Sequence, residues 1–130
     1  MTTQLVLTTA PDTELADRLA HELIANGLAA CVKQFAPCQS TYRWQGQIER
    51  TTEIPLVIVT DDTRYPELEA WLKAAHPYDL PEILAIPCTD GHPDYLAWVS
   101  NCTRAPTCTP SASTNVFYVP ACSVASSSLA

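Results

Sequence analysis

One short segment of the sequence displays an unusual concentration of polar side chains. Residues 76–83 contain a histidine, a tyrosine and two carboxylates, together with prolines at positions 77 and 81. Each proline favours an extended backbone at the residue before it, so the segment cannot continue the helical pattern that precedes it. A stiff surface connector that carries polar and aromatic groups is a place where a binding site is expected.

His76 is the first candidate metal ligand in this segment. Neutral imidazole commonly binds copper and zinc, and Tyr78, Asp79 and Glu82 stand close enough in sequence to orient the ring. The alternative is a histidine at the C-terminus of a helix, where a positive charge complements the helix dipole. The residue types alone leave both interpretations open.

Two further residues are candidate metal ligands. The thiolate of Cys31 would favour a soft ion such as Cu(I), although most free cysteines are small buried core residues. Glu53 is expected on a strand, where it would supply an oxygen ligand, pair with a neighbouring subunit or simply face solvent. We therefore predict a metal site drawn from His76, Cys31 and Glu53, with these alternatives open.

Aromatic residues indicate a second kind of site. Tyr42, Trp44 and Tyr78 are expected near strand ends together with Glu82, and large aromatic side chains there usually serve packing. In an oligomer, however, clefts between subunits often bind ligands. We predict that these four residues line a pocket between subunits.

Composition excludes several classes of protein. The 130 residues suffice for one domain, and the net charge of −7 argues against binding to nucleic acid. The N-terminus lacks the pattern of a signal peptide, and no apolar run is long enough to span a membrane. Six widely spaced cysteines without a CxxC pair indicate reduced thiols. We expect a cytoplasmic protein that binds neither nucleic acid nor membrane.

Charge also divides the chain. All charged residues lie within 1–104, which we predict to be the folded domain. Residues 105–130 form an uncharged tail rich in Ser, Thr and Pro, which we expect to be flexible because such sequence buries little apolar surface.

Hydrophobic patterning predicts the order β-α-β-β-α-β followed by a short C-terminal helix. Leu5–Thr9 reads as a buried strand, Asp12 as the N-cap of a helix and Gly27 as its end. Leu28–Val32 and Ser40–Trp44 read as extended, and the return strand covers Gln47–Thr60. The last predicted strand is Ile83–Ile86. These elements predict an α+β, ferredoxin-like sandwich with two helices on one face of a four-stranded antiparallel sheet.

The central hairpin is long for so small a domain. Gln45 and Gly46 form its predicted two-residue turn, and Pro55 is expected at an open edge or a bulge. Arms of about 14 residues span roughly 45 Å, whereas the radius of gyration of such a domain is about 13 Å. The overhanging strands invite pairing with another subunit, and a head-to-tail contact would give a cyclic oligomer.

Several motifs, in register, resemble the CutA divalent-cation tolerance proteins. They are Leu28–Val32, Tyr42–Gly46, His76–Ile83 and Tyr95–Trp98, and the resemblance covers residues 4–104. It implies a ferredoxin-like fold, a homotrimer, a cytoplasmic location and a role in the response to copper or another divalent cation. It implies no catalytic activity.

Three functions remain in competition. The first is a metal-responsive homotrimer, and the second is a trimeric regulatory module that binds a small ligand between subunits, by architectural analogy with PII-type signalling proteins. The third is an enzyme with Cys31 as nucleophile and His76 as base, which would require hydrogen-bond contact between them. We favour the first.

Overall fold

The computed structural model describes residues 1–104, and the predicted tail lies outside these residues. Five strands and three helices follow one another along the described chain. Their bounds are β1 Thr3–Ala10, α1 Thr13–Ala25, β2 Cys31–Gln34, β3 Cys38–Trp44, β4 Gln47–Asp61, α2 Tyr65–Ala75, β5 Leu84–Pro87 and α3 Pro93–Cys102.

The strands form one antiparallel sheet around β4. Its order is β2-β4-β1-β5, and β3 pairs with the other half of β4. If β2 and β3 are counted as one interrupted strand, this is the strand order of the predicted ferredoxin-like α+β fold, which is confirmed. The sheet has five strands rather than the predicted four because Phe35–Pro37 interrupts the second one.

The main core lies between one face of the sheet and helices α1 and α2. Even-numbered residues of β1, β2 and β4, such as Val6, Leu56 and Ile58, point to this face and belong to the same core as Leu19 and Leu72. Side chains alternate between the two faces of a strand, so the odd-numbered residues of these strands point the other way, together with Leu84 and Ile86 of β5, which pair with Leu7 and Leu5. There, α3 contributes Val99 to a smaller cluster with Val59 and Ala30.

The ends of α1 follow from its sequence. Asp12 is the N-cap, and its Oδ1 accepts a hydrogen bond of 2.8 Å from the Leu15 amide. At the other end, Gly27 has φ +69°, and the amide of Leu28 donates to the Leu23 carbonyl in a Schellman motif. Leu28 and Ala29 thus belong to the helix exit, so β2 begins at Cys31 instead of the predicted Leu28.

The other predicted boundaries differ by two residues or fewer. The return strand β4 extends one residue beyond Thr60, and β5 begins at Leu84 because Ile83 still belongs to the connector. Pro93 lies in the first turn of α3. None of the helices in residues 1–104 has both the length and the apolar character that a membrane crossing needs.

The hairpin of β3 and β4 projects beyond β1. Gln45 and Gly46 connect its strands with φ values of +51° and +81°, as a two-residue type I′ turn requires. At its base, Phe35–Pro37 lie opposite Ile54 and Pro55, so one strand carries an extra residue. The Phe35 amide donates to the Pro55 carbonyl. Because N and O of a strand residue point to the same side, the proline nitrogen faces this bulge, as predicted.

Candidate functional site

Three polar side chains meet at the point where the hairpin leaves the rest of the sheet. Glu53 is the residue of β4 opposite Cys38, the first residue of β3. Ser40 approaches it from β3, and Tyr78 approaches it from the connector after α2. The connector thus crosses the base of the hairpin.

The Glu53 carboxyl group is buried, and each of its oxygens accepts a hydrogen bond from a neutral donor. The residue is 8% exposed, and its Oε1 accepts 2.7 Å from Ser40 Oγ while its Oε2 accepts 3.0 Å from the Tyr78 hydroxyl. Buried carboxylates are normally paired with a cation because removal from water is costly. Among residues 1–104, the ion pair that the structure contains joins Arg64 to Glu67 instead.

The pKa of Tyr78 is altered by this environment. Burial raises the pKa of its hydroxyl to about 12, with further contributions from the hydrogen bond and charge of Glu53 and from the charges of Tyr42 and Asp12. A tyrosinate beside Glu53 would place two negative charges in contact, so the protonated phenol is favoured. Tyr78 therefore acts as a hydrogen-bond donor at this site.

His76 lies next to Tyr78 with both ring nitrogens occupied. Nδ1 accepts a bond of 3.2 Å from the Tyr78 amide, so Nε2 must carry the proton that it donates to the Thr9 carbonyl, 2.7 Å away. The two rings are 4.7 Å apart between centroids. His76 is also the C-cap of α2, which is the position at a helix C-terminus that the alternative interpretation gave it.

These contacts bear on the metal that the resemblance implies. A neutral imidazole binds a metal through a free lone pair, and the Nδ1 lone pair of His76 is committed to the backbone. Within residues 1–104, no three His, Cys, Asp or Glu side chains are grouped so that they could hold an ion. The donors within residues 1–104 of one chain therefore do not fit a preformed metal centre.

Cys31 lies elsewhere in the sheet. It is half-buried at the start of β2, opposite Val59, and packs against the cluster that contains Val99. Val59 and Glu53 are six residues apart on β4, which corresponds to about 20 Å. The Lys33 ammonium lies 3.8 Å from the Cys31 sulfur. The structure brings Glu53, Tyr78 and His76 together and leaves Cys31 apart.

The predicted pocket residues are spread along the hairpin and the connector. Tyr42 and Trp44 are exposed on β3, and Trp44 lies opposite Gln47 beside the turn, also about 20 Å from Glu53 along the strand. Glu82 is exposed on the connector. Tyr42 is near enough for its charge to influence Tyr78. A pocket that joins all four needs a second subunit and stays a prediction.

A shallow groove adjoins this region on the side of α1. Its volume is about 430 Å³, and its lining residues are Pro11, Asp12, Glu14, Leu15, Arg18 and Pro77. The groove contains charges of both signs but does not include Glu53.

Sequence reasoning missed a second buried carboxyl group, that of Asp61. Its Oδ1 accepts from the Thr63 amide and hydroxyl, both at 3.0 Å, and its Oδ2 accepts 3.0 Å from Ser100 Oγ of α3. Burial acts to raise its pKa, but these hydrogen bonds prevail and lower it. The sequence feature that could have revealed Asp61 is its position between a buried strand and a helix. Short polar side chains at such positions accept hydrogen bonds from backbone amides that have no partner in the helix.

The role of Ser40 was also missed, and β-sheet register could have revealed it. Once Cys38 is placed opposite Glu53, Ser40 becomes the diagonal neighbour of Glu53 on the same face. The register itself depends on the interruption at Phe35–Pro37, which the sequence only suggests.

Comparison with known proteins supplies the family. The family model described as "CutA1 divalent ion tolerance protein" matches residues 4–102. The divalent-cation tolerance protein CutA of Pectobacterium atrosepticum is 40% identical over 100 residues, which are 77% of this chain and 91% of that relative. The corresponding protein of Thermus thermophilus is 40% identical over 96 residues, 74% of this chain and 93% of its own length.

Solved structures agree with the sequence comparisons. The crystal structure of CutA from Xylella fastidiosa has a TM-score of 0.78 and 39% identity, covering 80% of this chain and 100% of the other. CutA1 from Oryza sativa has a TM-score of 0.78 at 36% identity, covering 80% of this chain and 95% of the other. The matched region contains Glu53, His76 and Tyr78, and the chain belongs to the CutA1 divalent ion tolerance family.

Proposed function

We propose that the protein is a cytoplasmic homotrimer that supports tolerance to divalent cations, and that copper is the cation concerned. Family membership carries the coarser part of this proposal, a role in divalent-cation tolerance. Copper, the trimer and the cytoplasmic location go beyond it.

Glu53 is the observation that supports contact with a cation. Its carboxyl group is buried, and its hydrogen bonds come from two hydroxyl groups. Each carboxylate oxygen has lone pairs beyond the one used by its hydroxyl donor, so the Glu53 carboxylate can contact a cation while it keeps both hydrogen bonds. Residues 1–104 of a single chain place too few donors there, so further ligands would come from a second subunit or from His76 after its bond to Tyr78 opens.

Two exposed surfaces support self-association. The face of the sheet opposite the main core, beyond the area that α3 covers, leaves Leu84 and Ile86 exposed at 55% and 46%. The hairpin adds Tyr42, Trp44 and Ile48, all exposed. Apolar surface of this kind on a small domain marks an interaction site, and three copies around an axis would cover both surfaces.

The same geometry argues against the catalytic pair that the sequence offered. Cys31 and His76 were the proposed nucleophile and base, and they lie at different positions along the sheet. Cys31 pairs with Val59 of β4, and Val59 pairs in turn with Leu5 of β1. His76 bonds to Thr9, which lies four residues further along β1. Four residues correspond to about 13 Å, which is beyond the hydrogen-bond contact that such a pair needs.

A titration of the full chain with copper tests the proposal. We would measure binding of Cu(II) by calorimetry and of Cu(I) against a coloured chelator, and mass in solution by light scattering. Glu53→Gln removes the buried charge, and Glu49→Gln, on the same face but exposed, is its matched control. Cys31→Ser tests the thiol separately.

The proposal expects saturable Cu(II) binding that Glu53→Gln weakens at least tenfold and Glu49→Gln leaves within twofold. Loss of Cu(I) binding in Cys31→Ser would move the site to the thiol. Weak binding that no variant changes would overturn the copper proposal and favour the regulatory module, for which a small ligand should stabilise the trimer in a thermal shift. A monomer at all concentrations would overturn the trimer.

A further inference from the structure

An exposed thiol adjoins the Glu53 carboxyl group. Cys38 pairs directly with Glu53 across the hairpin, and residues directly opposite each other share a face, with their Cβ atoms about 5 Å apart. Ser40 lies on the same face because it follows Cys38 by two residues. Glu53 is buried, Ser40 and Tyr78 are half-buried, and Cys38 is exposed. The thiol is therefore the member of this group that solvent reaches most easily.

A chain of hydrogen bonds joins this thiol to Glu53. Ser40 Oγ donates its one proton to Glu53 Oε1 at 2.7 Å, so Ser40 accepts in its contact with Cys38, whose sulfur lies 3.9 Å away. The thiol proton of Cys38 thus points to Ser40. A thiol is a weak donor, so this bond is easily given up.

Negative charge dominates the hairpin face that carries Cys38. Glu53 lies opposite Cys38, and Glu49 is four residues from Glu53 on β4 and therefore on the same face. The two arginines of the hairpin, Arg43 and Arg50, occupy alternate positions and point to the reverse face. Thiols that act as nucleophiles usually have positive groups nearby. The surroundings of Cys38 suit the binding of a cation better than nucleophilic attack.

We infer that Cys38 is a ligand of the cation at Glu53 and makes the site selective for thiophilic ions such as Cu(I), Zn(II) and Cd(II). Thiolate prefers soft ions, whereas Mg(II) and Ca(II) require sets of oxygen ligands. Zinc accepts both a cysteine sulfur and a glutamate oxygen. The inference rests on the proposed contact between Glu53 and a cation, and it names the class of ion.

Binding at this position exchanges a proton for the ion. A thiol loses its proton before it coordinates a metal, so the S–H bond breaks, the proton passes to solvent and the sulfur bonds to the ion. Ser40 loses the weak bond from Cys38 and keeps its bond to Glu53. Cys38 and Glu53 supply two ligands, in keeping with the lack of a group of three within residues 1–104, so the remaining positions are open to water.

Cadmium binding to the full chain under reducing conditions tests this assignment. Calorimetry in buffers of different ionisation enthalpy gives the affinity and the number of protons released, and ultraviolet absorbance detects charge transfer from a thiolate to the ion. Cys38→Ser removes the sulfur at an exposed position and keeps a hydroxyl group there. Cys102→Ser, at an exposed position of α3, is the matched control. The same titrations with Mg(II) provide the hard ion.

We expect saturable Cd(II) binding with release of about one proton for each ion and a thiolate absorbance band. Cys38→Ser should weaken Cd(II) binding at least tenfold and abolish both the band and the proton release, because the sulfur is gone. Cys102→Ser should stay within twofold of the unchanged chain. Mg(II) should bind more weakly than Cd(II), and Cys38→Ser should not change its affinity.

The outcomes separate this inference from the proposed function. Cd(II) binding that Glu53→Gln weakens and Cys38→Ser leaves unchanged would overturn the inference and leave the cation contact at Glu53 intact. A band that persists in Cys38→Ser and disappears in Cys31→Ser would also overturn it, because the thiolate would then be Cys31. Binding that neither Cys38→Ser nor Glu53→Gln alters would overturn both the inference and the proposed contact at Glu53.

Discussion

Strand β4 passes through two regions that have the same backbone geometry and opposite surroundings. Ile54–Asp61 lies between β1 and β2, and most of its side chains are buried. The preceding residues of β4 pair only with β3, and from 47 to 50 every one is exposed. The hydrogen-bonded register continues across both regions without a break in β4.

The comparison shows that strand pairing and burial contribute separately to this fold. In the second half of β4, the side chains belong to a core shared with α1 and α2. In the hairpin, order rests on the turn, on cross-strand pairs and on the contacts of Glu53 at its base. An isolated two-stranded hairpin is marginal in water, so the hairpin should be the less stable region unless a second copy covers it.

Hydrogen exchange should show the largest difference between the two regions. We expect amides of residues 56–61 to exchange only through near-global unfolding, and amides of residues 47–52 to exchange through local opening that costs several kcal/mol less. Native-state exchange followed by mass spectrometry measures both. Equal protection at every protein concentration would contradict the comparison. Protection of the hairpin that rises with concentration would show that association stabilises it.

Substitution of core and hairpin residues sharpens the contrast. Leu72→Ala, in the fully buried part of α2, should lower the free energy of unfolding by about 2–5 kcal/mol because it leaves a cavity. Ile48→Ala, at a position 71% exposed, should cost no more than about 0.5 kcal/mol in the single chain. Urea denaturation measures both values. A larger cost for Ile48→Ala would mean that a partner covers the hairpin.

Substitution of Asp61 tests whether polar contacts also stabilise the buried region. Asp61→Asn weakens the bonds to Thr63 and Ser100 and should lower stability by about 1–3 kcal/mol. Because folding lowers the pKa of Asp61, its contribution is present above the unfolded value near 3.8 and is lost as the pH falls through the folded value. Denaturation between pH 2 and 7 should therefore be less pH-dependent in the variant, and an unchanged acid profile would contradict this.

The hairpin turn provides a smaller test. Gly46 has φ +81°, and a Cβ there would meet no atom within 4 Å. Gly46→Ala should therefore cost about 1 kcal/mol from backbone strain alone, and it should speed exchange in residues 47–52 more than in 56–61. Gln45→Asn, which suits a type I′ turn, should have the opposite sign. A loss spread evenly over both regions would refute this local effect.

The junction between the regions is tested by titration of Tyr78. Its pKa of about 12 depends partly on Glu53, so Glu53→Gln should bring the pKa down towards the ordinary value near 10. Absorbance of tyrosinate follows the step, and Tyr78→Phe identifies it among the five tyrosines. Since folding raises this pKa, the stabilisation is complete below pH 10 and declines towards pH 12. An unshifted step in Glu53→Gln would contradict the assigned contact.

Much of the fold was predictable because local chemistry agreed with the global arrangement. Asp12 and Gly27 marked α1 through capping that depends on few residues. Gln45–Gly46 marked the hairpin for the same reason. The boundary errors at Leu28 and Ile83 arose where apolar residues continue past an element, because burial there comes from the helix exit and the connector rather than from a strand.

The site was less predictable because it depends on contacts between distant residues. His76 bonds to a carbonyl 67 residues away, and Tyr78 bonds to a carboxylate 25 residues away. The sequence indicated which residue types were present but could not show that a backbone amide occupies Nδ1. The separation of Cys31 from Glu53 likewise depends on the register of β2 with β4.

Strand β4 pairs with residues near in sequence at one end and with residues distant in sequence at the other, and this difference has a consequence for the order of folding. Trp44 and Gln47 pair across a two-residue turn, whereas Thr3 pairs with Asp61 across most of the domain. Short loops close in well under a microsecond, and hairpins form within about 1–10 microseconds, whereas distant pairings must first overcome the entropy of a long loop. We therefore expect the hairpin, although exposed when folding is complete, to be among the earliest ordered parts of the sheet and to offer β1 an edge on which to align.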